Sequence, residues 1–375
     1  MRNILYYKGY TQYHNIGDQL INRSLLDYFR KFSKVIVSTG GMPLFYTDAL
    51  ALEAEERSSA YAGNFHMQLL LRALTAVFQK DTRIYFLASP PGDQSTYSFL
   101  AGCKYFLSGG LYLLLYLLGV RIIKIGFSIG PLGRMAKAGE RFRALFIRHY
   151  YVRDSISLRF VQTMGIKQAK LFPDLCWSYQ PTTYPQNMDI PSAESPKIML
   201  SFRDGVHSEH PTETYQDSLV SLLSQFVHAH QEQYRFQVSF QVASDATFSE
   251  FLYTHIKSFA PVSFMTEQID LADAFQYQSA SLVLTNRLHV ALLAAKFGCL
   301  PVIVTDIGRH VKIKGIFQDA GLHPLLLDTQ QAPTDNLTRL AGILTNRQVY
   351  LAKIQQAEKT YAQLSTNIMN HIFSS

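Results

Sequence analysis

Short apolar runs alternate with longer amphipathic stretches along most of the chain, and this rhythm predicts strands separated by helices. Asn3–Tyr7 reads as a strand. Gly17–Phe32 reads as a helix, with Leu20, Ile21, Leu25, Leu26 and Phe29 on one stripe. Lys34–Ser38 is a second strand, stopped by Gly40-Gly41. A helix over Met67–Phe78 leads to a strand at Arg83–Ala88, ended by Pro90-Pro91. A strongly apolar helix around Leu111–Leu118 precedes a strand at Arg121–Phe127, which runs out into Ser128-Ile129-Gly130-Pro131-Leu132-Gly133. A basic helix at Lys137–His149, a short strand at Tyr150–Val152 and a helix at Asp154–Met164 follow. Strands separated by helices imply parallel βαβ units.

Between Ser178 and Pro196 the texture changes. Pro181, Pro185, Pro191 and Pro196 fall among polar residues with no apolar period, which marks a linker. The alternation then restarts. Strands are expected at Lys197–Phe202, Phe236–Val242, Leu282–Thr285 and Pro301–Thr305. Helices are expected at Thr212–Gln231, Ala246–Phe259, Arg287–Phe297 and near Lys312–Ala320, with a mostly helical tail from about Asp335. The helix at 287–297 is apolar almost all round, so it belongs in a core. The fold class expected is α/β, with two doubly wound, Rossmann-like domains facing a cleft. The expected boundaries are 1–180 for an N-terminal α/β domain, 181–196 for the linker, 197–345 for a C-terminal α/β domain and 346–375 for a helical tail.

A chain of 375 residues with 47% hydrophobic and 17% charged residues can bury two sizeable cores. Its net charge of +7 and pI near 9.1 point to anionic partners: phosphorylated metabolites, nucleic acid or an acidic membrane face. The basic residues are scattered rather than blocked, which argues against nucleic acid. Cys103, Cys176 and Cys299 are odd in number and far apart. They speak against a disulfide framework or a zinc site and fit a reducing cytoplasm. The first residues turn polar too soon for a signal peptide. Leu111–Leu118, even extended to Ile123, carries Gly119 and Arg121 and is too short to span a bilayer cleanly. A buried helix is expected there, with a membrane-leaning patch as the alternative.

The most informative stretch is 281–298, where an apolar strand enters a polar turn and a small-residue helix leaves it. Arg287 and His289 stand at that turn, at the N-terminus of a buried helix, where anions bind and acid/base chemistry is commonly placed. The alternative is a structural corner with a capping histidine. Asn15-Ile16-Gly17-Asp18-Gln19 precedes the first long helix. Gly17 there permits close backbone approach, and Asp18 either caps the helix or binds a hydroxyl. Arg153, just before the caps Asp154 and Ser155, either reaches the same kind of corner or pairs with Asp154. Arg203, in Ser201-Phe202-Arg203-Asp204-Gly205, follows another strand. Lys312 and Lys314, within Gly308–Gly315, either bind substrate or form a solvated face. Arg153, Arg203 and Arg287 each follow a predicted strand, and strand carboxyl ends line the crevice of open α/β sheets. Convergent guanidiniums suit a small polyanion. No G-x-G-x-x-G turn, no Ser-His-Asp or Cys-His elbow, no H-E-x-x-H motif and no metal-cage spacing of carboxylates is present, so no metal is expected.

The ordered motifs are Asn15-x-Gly17-Asp18; Gly126-Phe127-Ser128-Ile129-Gly130-Pro131-Leu132; Arg153-Asp154-x-x-Ser157-x-x-Phe160 with Gly165; Pro173-Asp174; Ser201-Phe202-Arg203; Asn286-Arg287-Leu288-His289; and Gly298-x-x-Pro301. In this set the chain resembles the polysaccharide pyruvyl transferase family over most of its length. It departs at Gly40-Gly41-Met42, which lacks a third glycine, and at Phe160, where an aliphatic residue is usual. The resemblance implies a GT-B-like fold and transfer of pyruvate from phosphoenolpyruvate onto two hydroxyls of one sugar, giving a cyclic ketal. No cofactor is implied beyond the donor substrate. The acceptor is an oligosaccharide, a lipid-linked repeat unit or a nucleotide sugar. By resemblance, Arg153 and His289 fall on positions tied to activity.

The residues suit that chemistry. Phosphoenolpyruvate carries a carboxylate and a phosphate, which call for several cations, and ketal formation needs a proton donor and a base. His289 is the expected acid/base. Arg287, Arg203 and Arg153 hold the donor, with Asn286, Lys312 and Lys314 alongside. Asn15, Gly17 and Asp18 hold the sugar. The expected location is cytoplasmic, with peripheral contact at the inner face of the membrane. A GT-B glycosyltransferase using a nucleotide sugar is the first alternative, and a non-catalytic binding protein of the same fold the second.

Overall fold

The structure, a computed structural model, describes residues 2–79, 81–181, 196–205 and 213–374. The expected linker, 181–196, lies almost wholly outside the described residues. The first half runs β1 (Arg2–Tyr7), α1 (Ile16–Arg30), β2 (Lys34–Val37), α2 (Leu44–Ala49), α3 (Phe65–Phe78), β3 (Thr82–Leu87), β4 (Gly92–Thr96), α4 (Phe99–Leu117), β5 (Arg121–Leu132), α5 (Arg134–Ala144), β6 (Ile147–Val152), α6 (Ser155–Thr163) and β7 (Lys170–Leu171). The second runs β8 (Lys197–Ser201), α7 (Glu213–His230), β9 (Arg235–Val238), α8 (Ala246–Lys257), β10 (Val262–Phe264), β11 (Ala280–Thr285), α9 (Leu288–Lys296), β12 (Leu300–Thr305), α10 (Val311–Asp319), β13 (Leu326–Asp328), α11 (Pro333–Thr345) and α12 (Arg347–Ser374).

Two compact units result. One comprises Met1–Tyr13, Asp18–Ser178 and Thr360–Ser375, and the other His14–Gly17 and Tyr179–Lys359. Among the described residues each holds one parallel sheet. The first has the order β2-β1-β3-β5-β6-β7, with β4 added beside β5. The second has the order β10-β9-β8-β11-β12-β13. Both orders reverse direction once, between β1 and β3 and between β8 and β11. The loops leaving those strand pairs diverge and open a crevice at the carboxyl ends.

The first sheet is covered on both faces, as a parallel sheet requires. Phe65, Leu69 and Ala73 of α3, Tyr112 and Leu115 of α4, and Ala136 and Ala144 of α5 share one core with Ile4, Phe86 and Ile122. Ile21, Leu25 and Phe29 of α1 close the other face, together with Met369, Ile372 and Phe373 from the end of α12. The tail expected at 346–375 is thus divided. Its last turns complete the core of the first unit, where the Phe373 ring stacks on Phe32 at 5.4 Å.

Three expected boundaries move. The basic helix, read as far as His149, ends at Ala144. Ile147 and His149 instead pair with Ile122 and Ile123 of β5, and this ladder overrides the helical pattern. β5 does not stop at Phe127 but continues to Leu132, because β4 lies beside it from Phe127 onward. β9 ends at Val238, where the described ladder to β10 also ends, rather than at Val242.

α4 packs on α5 unusually closely. A Cβ on Gly102 would lie 2.7 Å from the Ala136 backbone nitrogen, and one on Gly139 would lie 2.9 Å from the Gly102 carbonyl oxygen. Beneath α5 lies a buried ion cluster. Lys124 and Glu140 are 1% and 0% exposed. Lys124 Nζ donates to Glu140 Oε1 at 2.6 Å, Tyr150 OH donates to the same oxygen at 2.7 Å, and Arg143 pairs with Oε2. Burial acts against the Glu140 charge, yet Lys124 and Arg143 together hold its carboxyl down to about 2. One carboxylate facing two cations cannot satisfy both. Burial, with Arg143 adding to it, pushes the Lys124 ammonium down to about 7.

Candidate active site

In the second unit the reversal of strand order falls between β8 and β11. The chain leaving β8 places Arg203 there, and the chain leaving β11 places Asn286 and Arg287. Asn286, 1% exposed, ties the two loops together. Its Oδ1 accepts from the Arg203 N–H at 2.9 Å, and its Nδ2 donates to the Arg203 carbonyl at 2.8 Å and to Tyr215 OH at 2.7 Å. Only a side-chain amide can accept and donate in this way, so an aspartate could not replace it without leaving acceptors facing acceptors.

Arg203 is largely desolvated. Its Nη2 lies 2.7 Å from His310 Nε2, its Nε is buried without a hydrogen-bond partner, and among the described residues no carboxylate pairs with it. Burial first, and Arg287 second, push this guanidinium down to about 10, so it stays cationic at neutral pH. Guanidinium nitrogens only donate, so His310 Nε2 must accept and the ring hydrogen sits on Nδ1, which faces Thr305 Oγ1 at 2.5 Å. A buried chain of hydrogen bonds thus backs Arg203 and fixes its direction.

Arg287 is the N-cap residue of α9, and its N–H donates to Thr285 Oγ1 at 2.9 Å. Its Nε donates to Asp245 Oδ2 at 2.9 Å and its Nη2 pairs with Oδ1, a two-pronged grip on a carboxylate that is itself mostly buried. Burial pushes the Asp245 carboxyl up, against the pull of Arg287. Asp245 thus grips Arg287, whereas among the described residues no carboxylate pairs with Arg203.

His289 follows in the first turn of α9, half-buried, while Val290 to Ala295 behind it are buried as expected. The segment His14–Gly17 groups with this unit, held in part by Gln268 Nε2 donating to the His14 carbonyl at 3.0 Å. Gly17 lies so near the His289 ring that a Cβ there would collide with Nδ1. Asn15 Oδ1 accepts from the Gly17 N–H at 2.9 Å and shapes that turn. The close approach Gly17 was expected to allow is therefore made by the histidine ring. Lys312 and Lys314 sit half-buried on α10, whose N-cap residue is His310.

Asp18 and Arg153 belong to the first unit. Asp18 accepts from Thr11 Oγ1 and from the Gln12 N–H at 3.2 Å, so it ties down the loop before α1. Arg153 is 7% exposed, and its partner is Asp174 rather than the Asp154 weighed from the sequence. Its Nη1 donates to Asp174 at 3.0 Å and its Nε to Ser128 Oγ at 2.8 Å. Ser128 in turn donates to Asp154 at 2.6 Å, and Asp154 caps α6 through the Ser157 N–H at 2.7 Å. The motif pieces at 126–132, 153–157 and 173–174 thus form one buried polar knot at the ends of β5 and β6, in which Arg153 positions its neighbours.

Asp245, Tyr215, Thr305 and His310 were not singled out from the sequence. Asp245 carried a usable signal, since it lies between a predicted strand and a predicted helix, as Arg203 and Arg287 do. Among the described residues no group of three His, Cys, Asp or Glu side chains could hold a metal.

Several solved structures share the fold. A UDP-GlcNAc 2-epimerase from Neisseria meningitidis bound to UDP-GlcNAc matches with TM-score 0.59 at 9% identity, covering 99% of both chains. A putative UDP-N-acetylglucosamine 2-epimerase from Listeria monocytogenes matches with TM-score 0.58 at 12% identity, covering 100% of this chain and 97% of that one. Apo UGT2 from Phytolacca americana matches with TM-score 0.54 at 10% identity over 100% of both. These likenesses establish the GT-B-like α/β fold class. No curated protein sequence matches the chain. The family model for polysaccharide pyruvyl transferase matches residues 15–306, which take in the polar knot, Arg203 and the Asn286–His289 corner; the chain belongs to the polysaccharide pyruvyl transferase family.

Proposed function

We propose that this protein transfers pyruvate from phosphoenolpyruvate to two hydroxyls of one sugar, forming a cyclic ketal on a polysaccharide or its precursor. The observation that carries the reading is Arg203, a largely desolvated guanidinium that no carboxylate among the described residues pairs with, at the crevice of the second sheet where its charge meets that of Arg287. A donor bearing a phosphate and a carboxylate fits two adjacent guanidiniums, one paired with Asp245 and one that no carboxylate among the described residues pairs with. Asn15 and Gly17, beside the His289 ring, mark the side from which the sugar approaches the acid/base. Lys312 and Lys314 add positive charge around the bound donor.

The reaction balances without a redox cofactor. A proton adds to the methylene carbon of phosphoenolpyruvate, leaving a cationic centre at C2 that a sugar hydroxyl attacks. The C2–O bond to phosphate breaks and the second hydroxyl closes the ring. One hydroxyl hydrogen ends on the new methyl group and the other on the phosphate. In this reading His289 gives the first proton to the methylene carbon, takes the proton of the first hydroxyl, passes it to the departing phosphate and takes the proton of the second hydroxyl, which restores its starting state; these are roles one imidazole can alternate between. The arginines favour departure of phosphate by stabilising its charge.

Titration calorimetry with phosphoenolpyruvate tests the donor site. Arg203→Ala is expected to weaken binding by about tenfold to a hundredfold, the worth of one or two charge-assisted hydrogen bonds. Arg203→Lys restores only part, because an ammonium lacks the guanidinium fork. Tight binding of a nucleoside diphosphate with none of phosphoenolpyruvate would favour the glycosyltransferase alternative instead.

A further inference from the structure

The outward side of α3 and α4 is apolar although nothing among the described residues covers it. Leu100, Leu107 and Leu117 on α4 are 72%, 76% and 70% exposed, and Phe78 on α3 is 87% exposed. Met67, Leu71 and Leu74 recur at helical spacing along the same exposed side of α3. Scattered exposed leucines are ordinary, but two helices over one core on the same sheet face, each presenting such a stripe, mark an interaction surface. α4, expected to be buried, is only 22% buried, and with a mean hydropathy of 1.3 it is long and apolar enough to cross a membrane by length and composition, but one side of it is packed within the fold. Its inner side is locked to α5 through Gly102 and Gly109, and Tyr112 OH donates to the Ala88 carbonyl at 2.7 Å. Among the described residues its outer side is uncovered.

Charge decides what covers it. Residues 61–149 contain eleven Lys and Arg against three Asp and Glu, so this one segment accounts for the whole chain's surplus of +7. Within α3, α4 and α5 the one carboxylate is Glu140, wholly buried in its ion cluster. Lys104, Arg134, Lys137 and Arg141 are exposed around the apolar face. Tyr97 and Tyr116, near the two ends of α4, are 75% and 57% exposed, where amphipathic rings would meet lipid headgroups. A second copy of the chain would set like charges against one another across a two-fold axis. An anionic bilayer surface supplies apolar depth and the opposite charge together.

We infer that the outer face of α3 and α4, rimmed by α5, docks the protein peripherally on an anionic membrane, with α4 lying along the interface. A transferase so placed meets a lipid-linked sugar acceptor at the surface. That last consequence rests on the proposed ketal chemistry; the docking does not. The test is sedimentation of the full chain with vesicles of phosphatidylglycerol and phosphatidylethanolamine, beside vesicles of phosphatidylcholine alone, with neither donor nor acceptor present. The wild type is expected to sediment with the anionic vesicles, and less so at high salt. The double variant L100E/L107E, at positions too exposed to disturb the core, is expected to bind more than about tenfold more weakly. Phe251→Glu, at an exposed apolar position of the second unit, should bind as wild type does. Three results would each overturn the proposal: no vesicle binding by the wild type, equal binding by L100E/L107E, or a wild-type dimer that L100E/L107E dissociates.

Discussion

Alanine in place of His289 is expected to lower kcat by about a hundredfold to ten-thousandfold, the range that a lost general acid/base accounts for. The KM for phosphoenolpyruvate should change little, because Arg203 and Arg287 hold the donor. The fold should be unaffected, since His289 is half-buried and the core side of α9 is made by Val290 to Ala295. Steady-state kinetics beside circular dichroism and a melting curve would show both halves of this. Gly17→Ala offers an independent route to the same ring. The new methyl group would collide with Nδ1, so the imidazole must shift, and kcat should fall with every chemical group still present. A His289→Ala enzyme with near-normal turnover would remove the histidine from the mechanism.

Glu140→Gln is expected to cost about 3–5 kcal/mol of stability, because it leaves Lys124 and Arg143 facing each other in a dry core. Urea unfolding would measure it. Adding Lys124→Met should recover part of the loss, since the cation that burial already disfavours is then gone. Acid should discriminate the two proteins further. The Glu140 carboxyl is held at about 2, below its ordinary 4.5, so its contribution is full above pH 4.5 and is lost as pH falls toward 2. The wild type should lose its advantage over Glu140→Gln across that window.

Much of this architecture is legible in the sequence because a parallel sheet buried on both faces writes itself as apolar runs between amphipathic helices. β1, β3, β8, β11 and β12 were placed within a residue or two for that reason. The edge strands β4, β7, β10 and β13 were not, because β4 carries no large apolar residue and the two or three residues of the others are too few to show a period. His149 was misplaced into a helix because the basic residues before it carry a helical pattern, and its pairing with Ile123 is invisible locally.

Arg203, Asn286, Arg287 and His289 stand just past the carboxyl ends of β8 and β11, where the sequence pattern expects them. What charge remained at each could not be read. The sequence shows three arginines after strands. The structure pairs Arg153 with Asp174 and Arg287 with Asp245, and among the described residues pairs no carboxylate with Arg203. Those two pairings join residues 21 and 42 positions apart, and the Asn286 amide reaches the Arg203 backbone across 83, beyond the reach of any local motif.

The most direct test of the ketal-transferase reading is release of inorganic phosphate from phosphoenolpyruvate, with and without a panel of free, nucleotide-linked and lipid-linked sugars. The expected result is release that depends on an acceptor and is lost in His289→Ala. Phosphoenolpyruvate that neither binds nor yields phosphate with any acceptor, while a nucleotide sugar is consumed, would contradict it.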